Sequence, residues 1–216
     1  MAGSPSVRMF LVRHGEVAAN RDFAFVGRGE DRLTAAGVEQ AAGLASFFRG
    51  LSVDLVVSSP LERCQATARA VATATGSDVE ADFRIIEQSF GEWDGLTRAE
   101  IDARGETARE QMRTWQLDPS SRPPGGESLL EVQERALSLA QELAYRGLDS
   151  VVWVSHVGPI KAMVCHALAL PLSQVGRFFL DPASISVVEW RSPPILRVLN
   201  AHTQRGWRYA GWFESH

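Results

Sequence analysis

Four residues of this sequence belong to the chemistry of phosphate, and each follows a run that reads as a buried strand. Arg13 and His14 come directly after Val7-Arg8-Met9-Phe10-Leu11-Val12, Arg63 follows the run Val53 to Val57, and His156 follows Val151-Val152-Trp153-Val154-Ser155. In open α/β sheets, ligands gather beyond the carboxyl ends of the strands, so the four could share one crevice despite their separation in sequence. A neutral imidazole can attack phosphorus and form a covalent phosphohistidine. Guanidinium groups match phosphate oxygens bidentately, stay charged at any working pH and would stabilise the equatorial oxygens of a transferring phosphoryl group. Such a set also needs a carboxylic acid to protonate the leaving oxygen and later to activate water; it needs no metal.

The elements that must position these residues can be read from periodicity and caps. Thr34 is placed to cap a helix in which Val38, Ala41, Ala42, Ala45 and Phe48 recur at helical spacing, with Gly50 ending it. Ser59-Pro60-Leu61-Glu62 has the spacing of a capping box with proline at the first helical position, and Gly76 is a stop signal. Residues 79–86 read as a short strand, Arg98 to Trp115 as one or two helical pieces, and Asp118 to Gly126 as a loop. Ser128 and Glu131 open a long helix with Leu129, Val132, Ala136, Leu139 and Leu143 on one face, closed by Gly147. Pro159 starts a further helix, and residues 185–190 and 195–200 read as a hairpin at a sheet edge. Strands alternating with helices predict an α/β fold: one three-layer domain over residues 1–216, its central sheet mostly parallel and covered on both faces.

The bulk properties agree. A chain of 216 residues, 45% hydrophobic and 22% charged, can bury a full core without disulfides or metal staples. Cys64 and Cys165 lie far apart in apolar, helix-like contexts and read as buried thiols of a reducing compartment. The net charge of −4 argues against nucleic acid or an anionic membrane as the main partner. Met1 to Ser6 carries no signal-peptide h-region and no run could cross a bilayer, so the expected location is the cytoplasm. Lys161 is the only lysine. Other phosphate chemistries find no footing: there is no Walker loop, no His-Glu-x-x-His, and Ala70 stands six residues after Cys64 where a cysteine phosphatase needs arginine.

Several blocks together resemble the histidine phosphatase superfamily, the phosphoglycerate-mutase-like proteins. They are Arg13-His14-Gly15-Glu16 with Asn20, Leu33-Thr34-Ala35-Ala36-Gly37 with Gln40-Ala41, Ser58-Ser59-Pro60-Leu61-Glu62-Arg63, and Glu87 through Gly95. Pro124-Gly125-Gly126-Glu127-Ser128 and Val154-Ser155-His156-Val157-Gly158-Pro159 follow in the family's order. The resemblance implies that His14 is the phosphorylated nucleophile, that Arg13, Arg63 and His156 hold phosphate, and that Glu87 is the proton donor, with Glu92 and Asp94 as neighbouring rivals. It places Asn20 and Gly27 where relatives make further phosphate contacts and residues 92–125 where a helical lid would lie. Glu16 is expected to pair with a helix cap or an arginine, and Trp93 and Trp115 to pack the core or lid.

The implied activity is that of a phosphatase on a small phosphomonoester, close to the α-ribazole and broad-specificity phosphatases, with no cofactor and no metal. A phosphoglycerate mutase and a catalytically silent phosphate-binding module are the alternatives, and a homodimer through the C-terminal hairpin is open. Two positions depart from the pattern: Val17 stands where relatives usually place Thr or Ser, and Val26 where many have Thr or Gln. Both are expected to loosen phosphate anchoring or make the rim more apolar, and Val17, Phe25 and Val26 together hint at a partly apolar substrate group.

Overall fold

The computed structural model describes residues 6–21 and 23–202. Six strands form one sheet in the order β3-β2-β4-β1-β5-β6, built from β1 (Val7–Arg13), β2 (Leu55–Ser58), β3 (Val79–Ala81), β4 (Ser150–Ser155), β5 (Ile185–Trp190) and β6 (Ile195–Ala201). The pairs β1–β4, β2–β4 and β2–β3 are parallel, whereas β5 is antiparallel to both β1 and β6, so the expected edge hairpin is present.

Alternation along the central strands sorts the core into two layers. Met9, Leu11, Val151 and Trp153 face α5 (Leu129–Tyr145) and α6 (Val157–Ala167), meeting Leu139, Leu143, Ile160 and Met163. Val12, Val56, Val152 and Val154 face α1 (Ala35–Phe48) and α2 (Glu62–Thr75), meeting Leu44, Phe48, Cys64 and Val71. Every residue of β4 is buried, which is why that strand reads as an uninterrupted apolar run.

Between β3 and α5 the chain forms α3 (Arg98–Asp102) and α4 (Glu106–Leu117), with a small core of their own. Trp93, Ile101 and Met112 are its buried residues, and Phe25, Phe90 and Trp115 pack on them. No helix among the described residues is long and apolar enough to cross a membrane.

Local signals set several of these boundaries. Thr34 Oγ1 accepts from Gly37 N–H at the start of α1, Ser128 and Glu131 form a reciprocal capping box at the start of α5, and Gly76 closes α2 at φ +73°.

Four expectations need correction. The buried face of α1 is Gly37, Gln40, Ala41, Leu44 and Phe48, while Val38 and Ala42 are exposed, because the helix turns Gly37 and Gln40 toward the 14–16 segment. The second strand spans Leu55–Ser58, two residues later than expected at its start. Residues 79–86 hold a three-residue strand followed by a 3-10 turn at Phe83–Ile85. Ser59 does not cap α2: the helix begins at Glu62 without a side-chain cap, and the Ser59 hydroxyl is 2.7 Å from His156 Nε2.

The 14–16 segment lies flat on the first turn of α1. A Cβ on Gly15 would stand 2.5 Å from the Gly37 carbonyl oxygen, and one on Gly37 would run into the Glu16 carbonyl. Gly37→Ala is therefore expected to destabilise the fold by about 1–3 kcal/mol through overpacking. Helix propensity alone predicts the opposite sign, about 1 kcal/mol in favour of alanine. A urea unfolding curve of the variant decides between them.

Candidate active site

Strand register brings the sequence-distant residues together. Arg13 lies level with Ser155, and Ser58 with Val154, so His14, His156 and Ser59 emerge side by side beyond the carboxyl ends of β1, β4 and β2. Backbone bonds fix the first of these exits: His14 N–H donates to Ser155 O at 3.0 Å, and His14 O accepts from Ala183 N–H at 3.0 Å. Glu16 holds the same exit from beneath, its carboxylate accepting from Thr34 Oγ1 (2.7 Å) and from Arg21 Nη2 (2.6 Å). It thus serves both a cap residue and an arginine, as its sequence setting suggests.

His14 and His156 stack edge to face with ring centroids 5.1 Å apart. His14 Nδ1 is 2.7 Å from the Gly15 carbonyl, which can only accept, so Nδ1 carries the proton and Nε2 keeps its lone pair. Burial, with the Arg13 and Arg63 cations close by, holds His14 well below the ordinary imidazole range. His156 is likewise pushed well down by burial, then by His14 and the two arginines. Both rings are therefore neutral bases near pH 7.

The two arginines are buried and anchored to main-chain oxygens. Arg13 Nη1 donates to Leu180 O at 2.6 Å; Arg63 donates through Nη2 to Gly27 O (2.6 Å) and through Nη1 to Gly29 O (2.8 Å). Their Nε atoms are buried donors without a hydrogen-bond partner among the described residues, a costly state that an anion would relieve. Desolvation lowers Arg13 to about 10, with Glu87 and Asp181 opposing the drop, so the guanidinium stays charged at neutral pH.

Glu87 enters from the segment after β3. Its Oε1 accepts from Gln88 N–H (2.8 Å) and from Gly158 N–H (3.1 Å) in the first turn of α6. Burial nevertheless outweighs these bonds and the nearby Arg63 cation, raising its carboxyl above the usual range. With Oε1 doubly engaged as an acceptor, Oε2 is the oxygen left to carry a proton.

Arg13, His14, Asn20 and Glu87 line one cavity of about 410 Å³. His156 and Arg63, also expected to hold phosphate, are fully buried and are not part of its lining. Asn20 spends its Oδ1 on Val17 N–H (3.0 Å), leaving only its Nδ2 hydrogens for an anion. The phosphate contact expected of Gly27 is not available in this geometry. Its N–H donates to Asp94 Oδ1 at 2.7 Å and its carbonyl holds Arg63, so Gly27 sits behind the arginine as a brace. The rivals of Glu87 are placed otherwise: Asp94 is this Gly27 partner, and Glu92 is absent from the cavity wall.

Val26, Phe25, Phe90 and Trp115 supply apolar wall, as expected for Val26 and Phe25. Val17 does not reach the cavity; it is buried and bridges to Leu33. Trp93 is core, whereas Trp115 both packs on it, 5.7 Å between rings, and faces the cavity.

Sequence reasoning missed three neighbours. Ser59 and Cys64 both touch His156, the thiol 3.4 Å from Nε2 with its own pKa pushed up by burial. Lys161, one helical turn beyond Val157, lines the cavity. That it is the only lysine is plain in the sequence, but a lone lysine carries no local signal of where it points.

Residues 9–200 match the sequence profile of the histidine phosphatase superfamily (branch 1). A bifunctional protein of Mycobacterium tuberculosis is 37% identical over 191 residues, which cover 87% of this chain and 51% of that protein. The chain thus spans about half the length of the first curated relatives it matches. The adenosylcobalamin/alpha-ribazole phosphatase of Escherichia coli is 31% identical over 198 residues, covering 90% of this chain and 96% of that one. Among solved structures, a mycobacterial glucosyl-3-phosphoglycerate phosphatase superposes with a TM-score of 0.80 at 31% identity, covering 91% of this chain and 99% of that chain.

Proposed function

The chain belongs to the histidine phosphatase superfamily, and from that premise we propose that it hydrolyses a small phosphomonoester through a phosphohistidine at His14, without a metal. The observation that carries the reading is the state of His14. It is a buried neutral imidazole whose Nδ1 proton is committed to Gly15 O, in one cavity with a guanidinium and a carboxyl of raised pKa.

In the first step, His14 Nε2 attacks phosphorus in line with the ester oxygen. The N–P bond forms as the P–O bond breaks, and Glu87 passes its proton to the leaving oxygen. The Arg13 and Arg63 cations balance charge on the equatorial oxygens, with the neutral His156 ring against His14. In the second step, the ionised Glu87 takes a proton from water as that water attacks phosphorus, and the P–N bond electrons return to Nε2. The cationic charge that phosphoryl transfer demands is supplied by the guanidinium groups.

Phosphate release from a panel of phosphomonoesters, with EDTA present, tests the reading. Release that persists in EDTA supports it. Interconversion of 2- and 3-phosphoglycerate with little release would replace it by a mutase, and neither activity would leave a phosphate-binding module.

Gly158 offers a local test of Glu87's placement. A Cβ there would stand 2.5 Å from Glu87 Oε1, so Gly158→Ala must push the carboxyl aside. The expected result is a fall in kcat of about 10²-fold, as misplacing a reacting group by about 1 Å produces, with the fold retained. Steady-state kinetics beside a thermal melt would read both.

A further inference from the structure

The cavity lined by His14 is also lined by a cation that the phosphoryl chemistry does not use. Lys161, the only lysine of the chain, lies in α6 one turn beyond Val157 and Gly158, and all three line the cavity. Its Nζ donates to the Val175 carbonyl at 2.8 Å and lies 5.3 Å from the centroid of the Phe178 ring. Among the described residues no carboxylate lies within 4 Å of it. Leu129, Leu172 and Val175 add apolar wall to the same cavity.

A half-buried ammonium in such a setting is costly unless it is paired, and one carbonyl and one ring face satisfy it only in part. It has three donors, of which the Val175 contact takes one. Burial and the Arg13 cation bring it down to about 8, so it remains mostly protonated at neutral pH. Among the described residues the only acid lining the cavity is Glu87, whose Oε1 is already held by two backbone amides. A substrate phosphate held at Arg13 and His14 would therefore leave Lys161 as the cation of the cavity wall that faces the remainder of the molecule.

We infer that Lys161 recognises a second anionic group on the alcohol part of the substrate, so that the preferred substrates are phosphorylated acids. This deepens the phosphatase reading above and rests on it. A carboxylate fits the cavity as a compact partner for a single ammonium; a second phosphate offers the same charge chemistry.

Matched pairs of substrates test the inference with the intact protein. Phosphoserine differs from phosphoethanolamine by its carboxylate, and 3-phosphoglycerate from glycerol 3-phosphate by a carboxylate in place of a hydroxymethyl group. A third pair, 1,3-propanediol bisphosphate against its monophosphate, reads whether phosphate serves in the same role.

The expected result is a kcat/KM preference for the acidic member of about tenfold or more in at least one pair. Lys161→Met should bring that ratio toward one, and Lys161→Arg should retain much of it. A wild-type ratio near one in every pair overturns the inference while leaving the phosphatase reading in place. So does a preference that Lys161→Met leaves unchanged. Release from none of the six compounds, beside release from other monoesters, also counts against the acidic-substrate inference alone. No release from any monoester removes the phosphatase reading and this inference together.

Discussion

His14→Ala is expected to lower phosphate release by at least about 10³-fold, to the level that binding and charge stabilisation alone can support. The size follows from the role: among the described residues no other group in the cavity presents an unprotonated nitrogen with its other ring nitrogen fixed. His156 stands beside it, ring centroids 5.1 Å apart, but its Nε2 is 2.7 Å from Ser59 Oγ and it does not line the cavity. It cannot take over the attack without turning out of the core. Alkaline quench after mixing with radiolabelled substrate should leave label on the wild-type chain and none on the variant. Labelling of the His14→Ala protein would mean that another residue accepts the phosphoryl group. Because His14 is buried, a thermal melt must accompany the kinetics, so that a packing defect is not read as lost chemistry.

The second large effect is expected at Glu87. Glu87→Gln keeps the size of the side chain but removes its proton exchange, and should slow hydrolysis of alkyl phosphates by about 10²–10⁴-fold. With p-nitrophenyl phosphate the leaving group needs no proton, so the first step should survive while water attack loses its base. Stopped-flow mixing should then show a burst of nitrophenol followed by slow turnover. A steady-state rate without a burst, reduced equally for both substrate types, would point to a structural role instead. The pH dependence has a definite sign. Glu87 must be protonated to serve the first step, and burial raises its pKa, so hydrolysis of alkyl phosphates should fall as pH rises through that raised value. The Gln variant should lose this limb. His14 stays neutral until well below the ordinary imidazole range, so it should not switch the reaction off at mildly acidic pH.

Much of this arrangement can be read from local sequence because the information is local. The run Val151 to Ser155 is apolar since β4 is buried on both faces, and Ser128 with Glu131 signals the start of α5 by a contact three residues long. The strand-end positions of Arg13, His14 and His156 follow from the same runs. What failed depended on contacts across the fold. Ser59 and Glu62 have capping-box spacing, but the Ser59 oxygen meets an imidazole 97 residues away. Gly27 has the look of a phosphate-contacting glycine, yet its amide is taken by Asp94, 67 residues on. The buried face of α1 differs from the expected one because counting apolar residues cannot show that Gly37 is needed flat against the Glu16 carbonyl. Lys161 illustrates the same limit: its sequence neighbours are apolar helix residues, and only the 3-10 helix Leu172–Arg177, which carries Val175, reveals that it lines the cavity.

Four of the groups proposed for the chemistry share one habit of attachment, while His156 is held by the side chains of Ser59 and Cys64. His14 is oriented by the Gly15 carbonyl, Glu87 by the amides of Gln88 and Gly158, Arg13 by the Leu180 carbonyl, and Arg63 by those of Gly27 and Gly29. Main-chain partners do not depend on the identity of a side chain, so these four side chains keep their aim through replacements at Leu180, Gln88 and Gly29, whereas Gly15, Gly27 and Gly158 have no room for a Cβ. The rest of the cavity lining has no such protection, since Phe25, Val26, Trp115 and Lys161 would meet a substrate through side chains that a single codon change replaces. An inheritance of this kind lets a lineage trade one substrate for another by small steps without passing through an ancestor that has lost the reaction.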